Sequence, residues 1–429
     1  MESTLYSLSF APNPDWSRTF APQGEILAYL RRVADEHGVT PLIRFNETVT
    51  GARWDDAARE WVVRSTSGEW RAQALVMANG ALSDPILPRV PGMETFEGPA
   101  FHTAHWDAAA RLDGLRVAVI GTGASAIQVV PALQPRVARL VVVQRTPAWV
   151  MPRHDRAVPA WRRAMYLRFP ATQRLVRAAL HLRHELLFQP FRHATIRRVA
   201  EWVIGGHLRR QVRDPALRAR LTPDYGIGCK RLLLSDDYYP ALTRSNVDVV
   251  TSPLASVGPR QITTADGATH EVDAIVYATG FRVTDPLLAP VVHGRDGRSL
   301  ADAWAGSPKA HMGTTVAGFP NLFILMGPNT GLGHSSVLMM AEAQFEHILG
   351  VLALAETAGA RVAEPRAEAQ ARFVAWVDRA NATTVWNAGG CTSWYLDRTG
   401  RNSALWPYGV DRFRRTVGRV RHEDYALAP

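Results

Sequence analysis

The spacing of apolar positions changes period several times along the chain. Residues 24–37 place Ile26, Leu27, Leu30 and Val33 at helical spacing, with Gly38 positioned to end the helix. Residues 41–80 switch to short strand-like runs: PLIRF, TVTGARW, EWVVRST and WRAQALVMANG. Pro85, Pro88 and Pro91 then interrupt regular structure and predict a linker. Residues 116–146, RVAVIGTGASAIQVVPALQPRVARLVVVQRT, read as strand, glycine turn, helix and strand. A largely helical stretch follows over 153–220, then a strand-like HEVDAIVYATGF at 270–281. Residues 321–356 give a strand, a glycine-rich turn and a long helix. Its predicted buried stripe is Leu338, Ala341, Phe345, Ile348, Leu349 and Leu352. The tail is aromatic and irregular. Recurring strand–glycine–helix units predict an α/β protein.

Composition narrows this picture. At 429 residues the chain exceeds one ordinary domain. Its 47% hydrophobic and 21% charged content is that of a globular protein, which excludes fibrous and largely disordered classes. No run approaches about 18 consecutive apolar residues, so no membrane span is predicted. The opening MESTLYSLSF lacks the basic and apolar regions of a secretory signal. Cys229 and Cys391 stand far apart, which fits a reduced, cytoplasmic setting better than a disulfide framework.

The formal charge of +10 is concentrated. Between Arg153 and Arg220 there are 16 arginines and four acids, an excess larger than that of the whole chain. Such a segment could bind nucleic acid or an anionic membrane. An arginine-decorated, solvated helical insertion is the plainer expectation, because the chain uses only two lysines and Arg is its general cation. No nucleic-acid partner is expected, and membrane contact through 153–220 is not favoured.

The loop VIGTGASA carries candidate chemistry. Gly121, Gly123 and Ala126 occupy the three small positions of a dinucleotide fingerprint, with Thr122, Ala124 and Ser125 between them. The first glycine permits a tight turn, the second a close approach to a pyrophosphate, and Ala126 lets helix pack on strand. The helix N-terminus offers free N–H groups to phosphate oxygens. An NAD site calls for an acid at the end of the second strand. Here Gln144, Arg145 and Thr146 stand instead, and an arginine suits a 2′-phosphate, so NADP is expected.

Phe96, Gly98, His102, Trp106 and Asp107 lie just ahead of this loop in FEGPAFHTAHWD. They match the F-x-G-x-x-x-H-x-x-x-W-[PD] fingerprint of type I Baeyer–Villiger monooxygenases, and the chain resembles that family nearly end to end. YATGF (277–281) and FPNLFILMGPNTGLGHSS resemble the wider flavin-containing monooxygenases. The resemblance implies two Rossmann-like domains. An FAD domain would comprise 1–110 and 276–429, and an NADP domain 111–275, with a helical insertion at 151–220. It implies that NADPH reduces bound FAD. A peroxyflavin then delivers one oxygen atom from dioxygen to a ketone, or to a soft nitrogen or sulfur. His102 would couple cofactor binding to domain motion. GCKRLLLSDDYYP resembles the segment carrying the catalytic arginine, which makes Arg231 the candidate and sets Lys230 on the NADP 2′-phosphate. FAD would meet Ala278, Thr279 and Gly280, and the turn with Gly327, Asn329 and Thr330. A metal pair at His102 and His105 has no third ligand nearby, and none is expected.

The family begins with a strand and a glycine loop for the FAD pyrophosphate. Residues 1–50 contain no such unit, and ESTLYSLSFAPNPDWSRTFAPQGEI resembles the segment that follows it. An N-terminally incomplete FAD domain is therefore expected, through a mis-assigned start or a true truncation. The alternatives are an NADPH oxidase or reductase without oxygen transfer, an NADP-binding remnant without flavin, and a membrane-surface protein. Substrate identity and oligomeric state stay open.

Overall fold

The computed structural model describes residues 1–391 and 393–429. Helix α1 (Gln23–Glu36) ends at Gly38, whose positive φ of 64° closes it as expected. PLIRF is not a strand; Thr40–Leu42 forms a short 3₁₀ turn with proline near its start. Strands β1 (Val49–Asp55), β2 (Glu60–Ser65) and β3 (Glu69–Ala72) form an antiparallel meander, and β4 (Leu75–Met77) follows. The proline-rich segment leads to β5 (Ala100–His102).

The next unit is β6 (Arg116–Ile120), α2 (Ala126–Leu133) and β7 (Arg139–Val143). After the short β8 (Val150–Met151) the chain turns helical, through α3 (Ala160–Arg168), α4 (Pro170–Leu186), α5 (Gln189–Arg192), α6 (Ala194–Gln211) and α7 (Pro215–Leu221). It returns through β9 (Leu233–Leu234), α8 (Tyr238–Leu242) and β10 (Val247–Val250). A small antiparallel sheet, β11 (Leu254–Gly258), β12 (Gln261–Thr264) and β13 (Thr269–Glu271), precedes β14 (Ala274–Tyr277). The remainder comprises β15 (Val292–His293), α9 (Leu300–Trp304), β16 (Leu322–Ile324), α10 (Val337–Thr357), β17 (Val362–Pro365), α11 (Ala367–Asn381), α12 (Val385–Ala388), α13 (Val410–Val417) and β18 (Tyr425–Ala428).

Two parallel sheets organise the molecule, besides a short parallel pair of β8 and β9. One has five strands in the order β10-β7-β6-β14-β5, every pairing parallel. Its central strands are apolar on both faces, as strands covered on two sides must be. Val117, Val119, Leu140 and Val142 pack beneath α2 and α8, while Ala118, Ile120, Val141 and Val143 pack on the opposite face. The second parallel sheet contains only β4 and β16, with Leu75, Val76 and Met77 opposite Leu322, Phe323 and Ile324. On β4, Val76 stays 44% exposed.

Helix α10 corrects the predicted stripe. Its buried face carries Met340, Ala343, Gln344, His347, Ile348 and Val351, whereas Leu349 and Phe345 are exposed. Two polar side chains on that face are held by hydrogen bonds. Gln344 Nε2 donates toward the carbonyls of Gly313 (3.0 Å) and Ile324 (3.1 Å) and the Thr314 hydroxyl (2.9 Å). The His347 ring bridges the Val417 carbonyl (2.6 Å) and the Tyr425 hydroxyl (2.8 Å). Among the described residues α10 is the one helix long and apolar enough to cross a membrane by length and composition. Its packing on α13 and β17 makes it a core helix of this half.

The cysteine expectation is also corrected. Cys229 and Cys391 form a disulfide. The fold brings them together because the 225–229 loop and the 385–395 segment share one aromatic cluster with Phe188, Phe191, Tyr225, Trp386 and Tyr395. Sequence distance hid this proximity, so the argument from free thiols to a reducing setting falls.

Candidate active site

The five-stranded sheet reverses its strand order at β6. The chain runs from β6 to β7 on one side, and β14 joins on the other, so a crevice opens at their carboxyl ends. Gly121 occupies that point with φ 116°. A Cβ there would overlap the Ala278 carbonyl, so only glycine fits. At Gly123 a Cβ would meet nothing in the protein, so the space beside it is open to a ligand. Ala126 is fully buried where α2 meets the sheet, and Thr122 Oγ1 donates to the Thr146 carbonyl at 2.9 Å. These features fit a dinucleotide pyrophosphate laid on the amides of Gly121–Ser125 and the N-terminus of α2.

A second pairing assembles the cations. Strands β8 and β9 run parallel with Val150 opposite Leu233, which carries the segments before them to the same end. Trp149 Nε1 donates to the Tyr225 carbonyl and the Tyr225 hydroxyl donates to Pro147, both at 2.9 Å, locking the two loops. Arg145 and Lys230 therefore approach each other. Burial lowers the Lys230 pKa, and the charge of Arg145 lowers it further. Two cations close enough to repel each other, one of them over the Tyr225 ring, fit an additional phosphate.

Arg231 is exposed and has no acid partner among the described residues. It sits near the amino terminus and Tyr395. Burial lowers the Met1 ammonium; Glu2 opposes that shift, while Arg231 and Arg153 add to it. Burial pushes Tyr395 up to about 12, with Arg231 opposing. An unpaired guanidinium can stabilise a negative charge that develops near it.

The stretch 96–107 is more than a linker. β5 adds a fifth strand beside β14, with His102 opposite Tyr277. Gly98 is pressed against the Asp273 carbonyl, where a side chain would not fit. Trp106 packs edge-on against Phe101 at 4.9 Å, and Asp107 accepts the Ala109 N–H at 2.9 Å. His102 is buried. Its Nδ1 accepts the Ala104 N–H at 3.0 Å, so the neutral ring carries its proton on Nε2. That Nε2 is buried without a hydrogen-bond partner. Burial and then the nearby His105 lower the His102 pKa, with the backbone of Gly280 opposing. The ring stands edge-on to Phe281, 5.5 Å away.

The structure divides the residues expected at FAD. Ala278, Thr279 and Gly280 follow β14, with the Ala278 carbonyl and Thr279 N–H against Gly121. The β14 strand itself belongs to the five-stranded sheet, so a boundary at 276 cuts through it. In the turn, Gly327 presses on the Gly313 carbonyl. The side chains of Asn329 and Thr330 are already engaged. Asn329 Nδ2 donates to Asn402 (2.7 Å) and its Oδ1 accepts Arg401 Nη2 (2.6 Å), while Thr330 Oγ1 donates to Gly327 (2.7 Å). These two residues hold the C-terminal tail and shape the turn. Sequence reasoning quoted Ser335 and Ser336 but gave them no role. Both hydroxyls are buried without partners at the N-terminus of α10. Orphaned hydroxyls at a helix N-terminus fit a phosphate or flavin oxygen, and so fit FAD. Glu185, also missed, accepts the Val410 N–H (2.9 Å) and contacts His334 (3.3 Å), tying α4 to this turn.

The sequence profile of a family described as "Flavin-binding monooxygenase-like" matches residues 3–298. The chain belongs to this family. Among its relatives is a Baeyer-Villiger monooxygenase of Streptomyces coelicolor, 48% identical over 427 residues, which cover 99% of this chain and 82% of that one. Another of the same name, from Pseudomonas aeruginosa, is 44% identical and covers 96% and 79%. Among solved structures, an oxidized steroid monooxygenase bound to NADP superposes with a TM-score of 0.88 at 29% identity, covering 100% and 90%. A cyclohexanone monooxygenase from Rhodococcus sp. Phi1 bound to NADP+ gives 0.87 at 29%, covering 100% and 89%. Membership in the flavin-binding monooxygenases makes this a flavin-dependent monooxygenase with two Rossmann-like domains.

Proposed function

We propose that the protein is an NADPH- and FAD-dependent Baeyer–Villiger monooxygenase that inserts one oxygen atom from dioxygen beside a ketone carbonyl. Bound FAD supplies the oxygen-activating chemistry. The observation that carries the NADPH choice is the approach of Arg145 to Lys230 at the glycine loop, with no acid at the end of β7. The amides of Gly121–Ser125 hold the pyrophosphate, and Arg145 and Lys230 clasp the 2′-phosphate. Arg231 faces the crevice and stabilises negative charge in the oxygenation step. His102 is a positioning residue, presenting Nε2–H where linker and β14 meet.

On the FAD side, Ser335, Ser336 and the amides at the start of α10 meet the cofactor. This half lacks its first strand–turn–helix unit. The support is the two-stranded parallel sheet, the open edge at Val76, and the exposure of Leu27 and Leu30 on α1 and of Leu42 and Phe45 after it. Flavin retention by the chain should therefore be weak, with visible absorbance lost on gel filtration. A chain extended upstream should retain it. Equal retention by both would overturn the incomplete-domain reading.

The activity is tested with FAD supplied in excess, by following NADPH loss and ester formation over a panel of ketones. Arg231→Ala should lower ester formation by about 100-fold or more while NADPH binding persists. NADPH loss matched by hydrogen peroxide, with no ester from any ketone, would favour an oxidase instead.

A further inference from the structure

We infer that the helical insertion is a docking surface for an anionic lipid bilayer, and that the protein works at a membrane surface. Of the 30 large apolar side chains exposed among the described residues, 12 fall between Trp161 and Val203. Helical spacing gathers them into strips. On α4, Leu175, Leu182 and Leu186 are seven and four residues apart, so they share one face, and all are more than half exposed. On α6, Ile196, Val199 and Val203 repeat the pattern, with Trp202 beside them at 72% exposure. Trp161 on α3 and Phe169 at the start of α4 are equally open.

The charge around these strips is one-sided because the four acids of the segment are engaged elsewhere. Asp155 accepts from Arg18 and from the Phe20 N–H. Glu185 and Glu201 accept the N–H groups of Val410 and Ile227. Asp214 caps α7. Exposed Arg174, Arg198 and Arg210 have no acid partner among the described residues. Arg162 and Arg168 lie over the rings of Trp161 and Phe169. Exposed Leu and Trp flanked by unneutralised arginine is the chemistry of an interface between acyl chains and anionic headgroups. A water-soluble polyanion would use the arginines and leave the apolar strips in water.

Flotation of the full chain with vesicles tests this. Vesicles of equimolar phosphatidylglycerol and phosphatidylcholine should bind at least about tenfold more protein than phosphatidylcholine alone at about 50 mM salt. About 500 mM salt should release most of it. Arg174→Gln/Arg198→Gln/Arg210→Gln and, separately, Leu182→Ser/Trp202→Ser should each weaken binding by about fivefold or more while circular dichroism and thermal melting stay unchanged. Equal binding to neutral vesicles, or full binding by folded variants of both kinds, would overturn the inference. So would tighter binding to duplex DNA than to vesicles, or a stable dimer that protects Trp202 from quenching and ignores vesicles.

Discussion

The two nucleotide-binding halves differ in how completely they are closed. The NADP half has five parallel strands, a glycine loop fixed by a backbone contact, helices over one face and the small antiparallel sheet over the other. The FAD half brings two parallel strands together and leaves Val76 at the edge. Yet its antiparallel parts, α10 and the tail are as firmly hydrogen-bonded as anything in the molecule. The scaffold of the FAD half thus rests on contacts far from the two-stranded parallel sheet.

Substitutions at the NADP half should have the largest effects. Gly121→Val puts a branched side chain into the Ala278 carbonyl at a backbone angle that valine avoids. It should reduce NADPH affinity by about 100-fold or more, measured by titrating protein fluorescence, with α10 and its surroundings unaffected in hydrogen exchange. Arg145→Ala and Lys230→Ala come next. Each should weaken NADPH by about tenfold to 100-fold and leave NADH unchanged, which a comparison of the two KM values would show. Equal losses for both nucleotides would break the assignment of the 2′-phosphate.

On the FAD side the expected effects concern stability. Gln344→Ala removes three buried hydrogen bonds, orphans the groups that accepted them and should cost about 2–4 kcal/mol in denaturant unfolding. An effect of comparable size is graded with pH. Burial lowers His347 to about 4, with the Val417 hydrogen bond opposing. A depressed histidine contributes its full stability above its unfolded value of about 6.5. That stability is lost as pH falls toward about 4, at about 1.4 kcal/mol per pH unit. His347→Gln should flatten that part of the stability profile.

Legibility followed physical cause. The β6–α2 turn could be read from sequence because Gly121, Gly123 and Ala126 answer local steric demands at fixed spacing. Arg145 was legible because a strand end is a local position. The face of α10 was misread because hydrophobicity ranks Phe345 and Leu349 above Gln344 and His347, and only the tertiary partners of the polar pair reverse that order. The β5 strand was missed because three residues carry no period. Strand pairing, which no single segment reveals, sets the end of β14 at Ala278 against Gly121 of the glycine loop.

The Cys229–Cys391 bond has a mechanical consequence. It closes a covalent ring that leaves the nucleotide sheet at the Lys230–Arg231 segment, passes through both halves and returns at the tail. Any rotation of one half against the other is constrained by that staple, which lies two residues from Arg231. The segment bearing Arg231 thereby stays tied to the tail in any such movement.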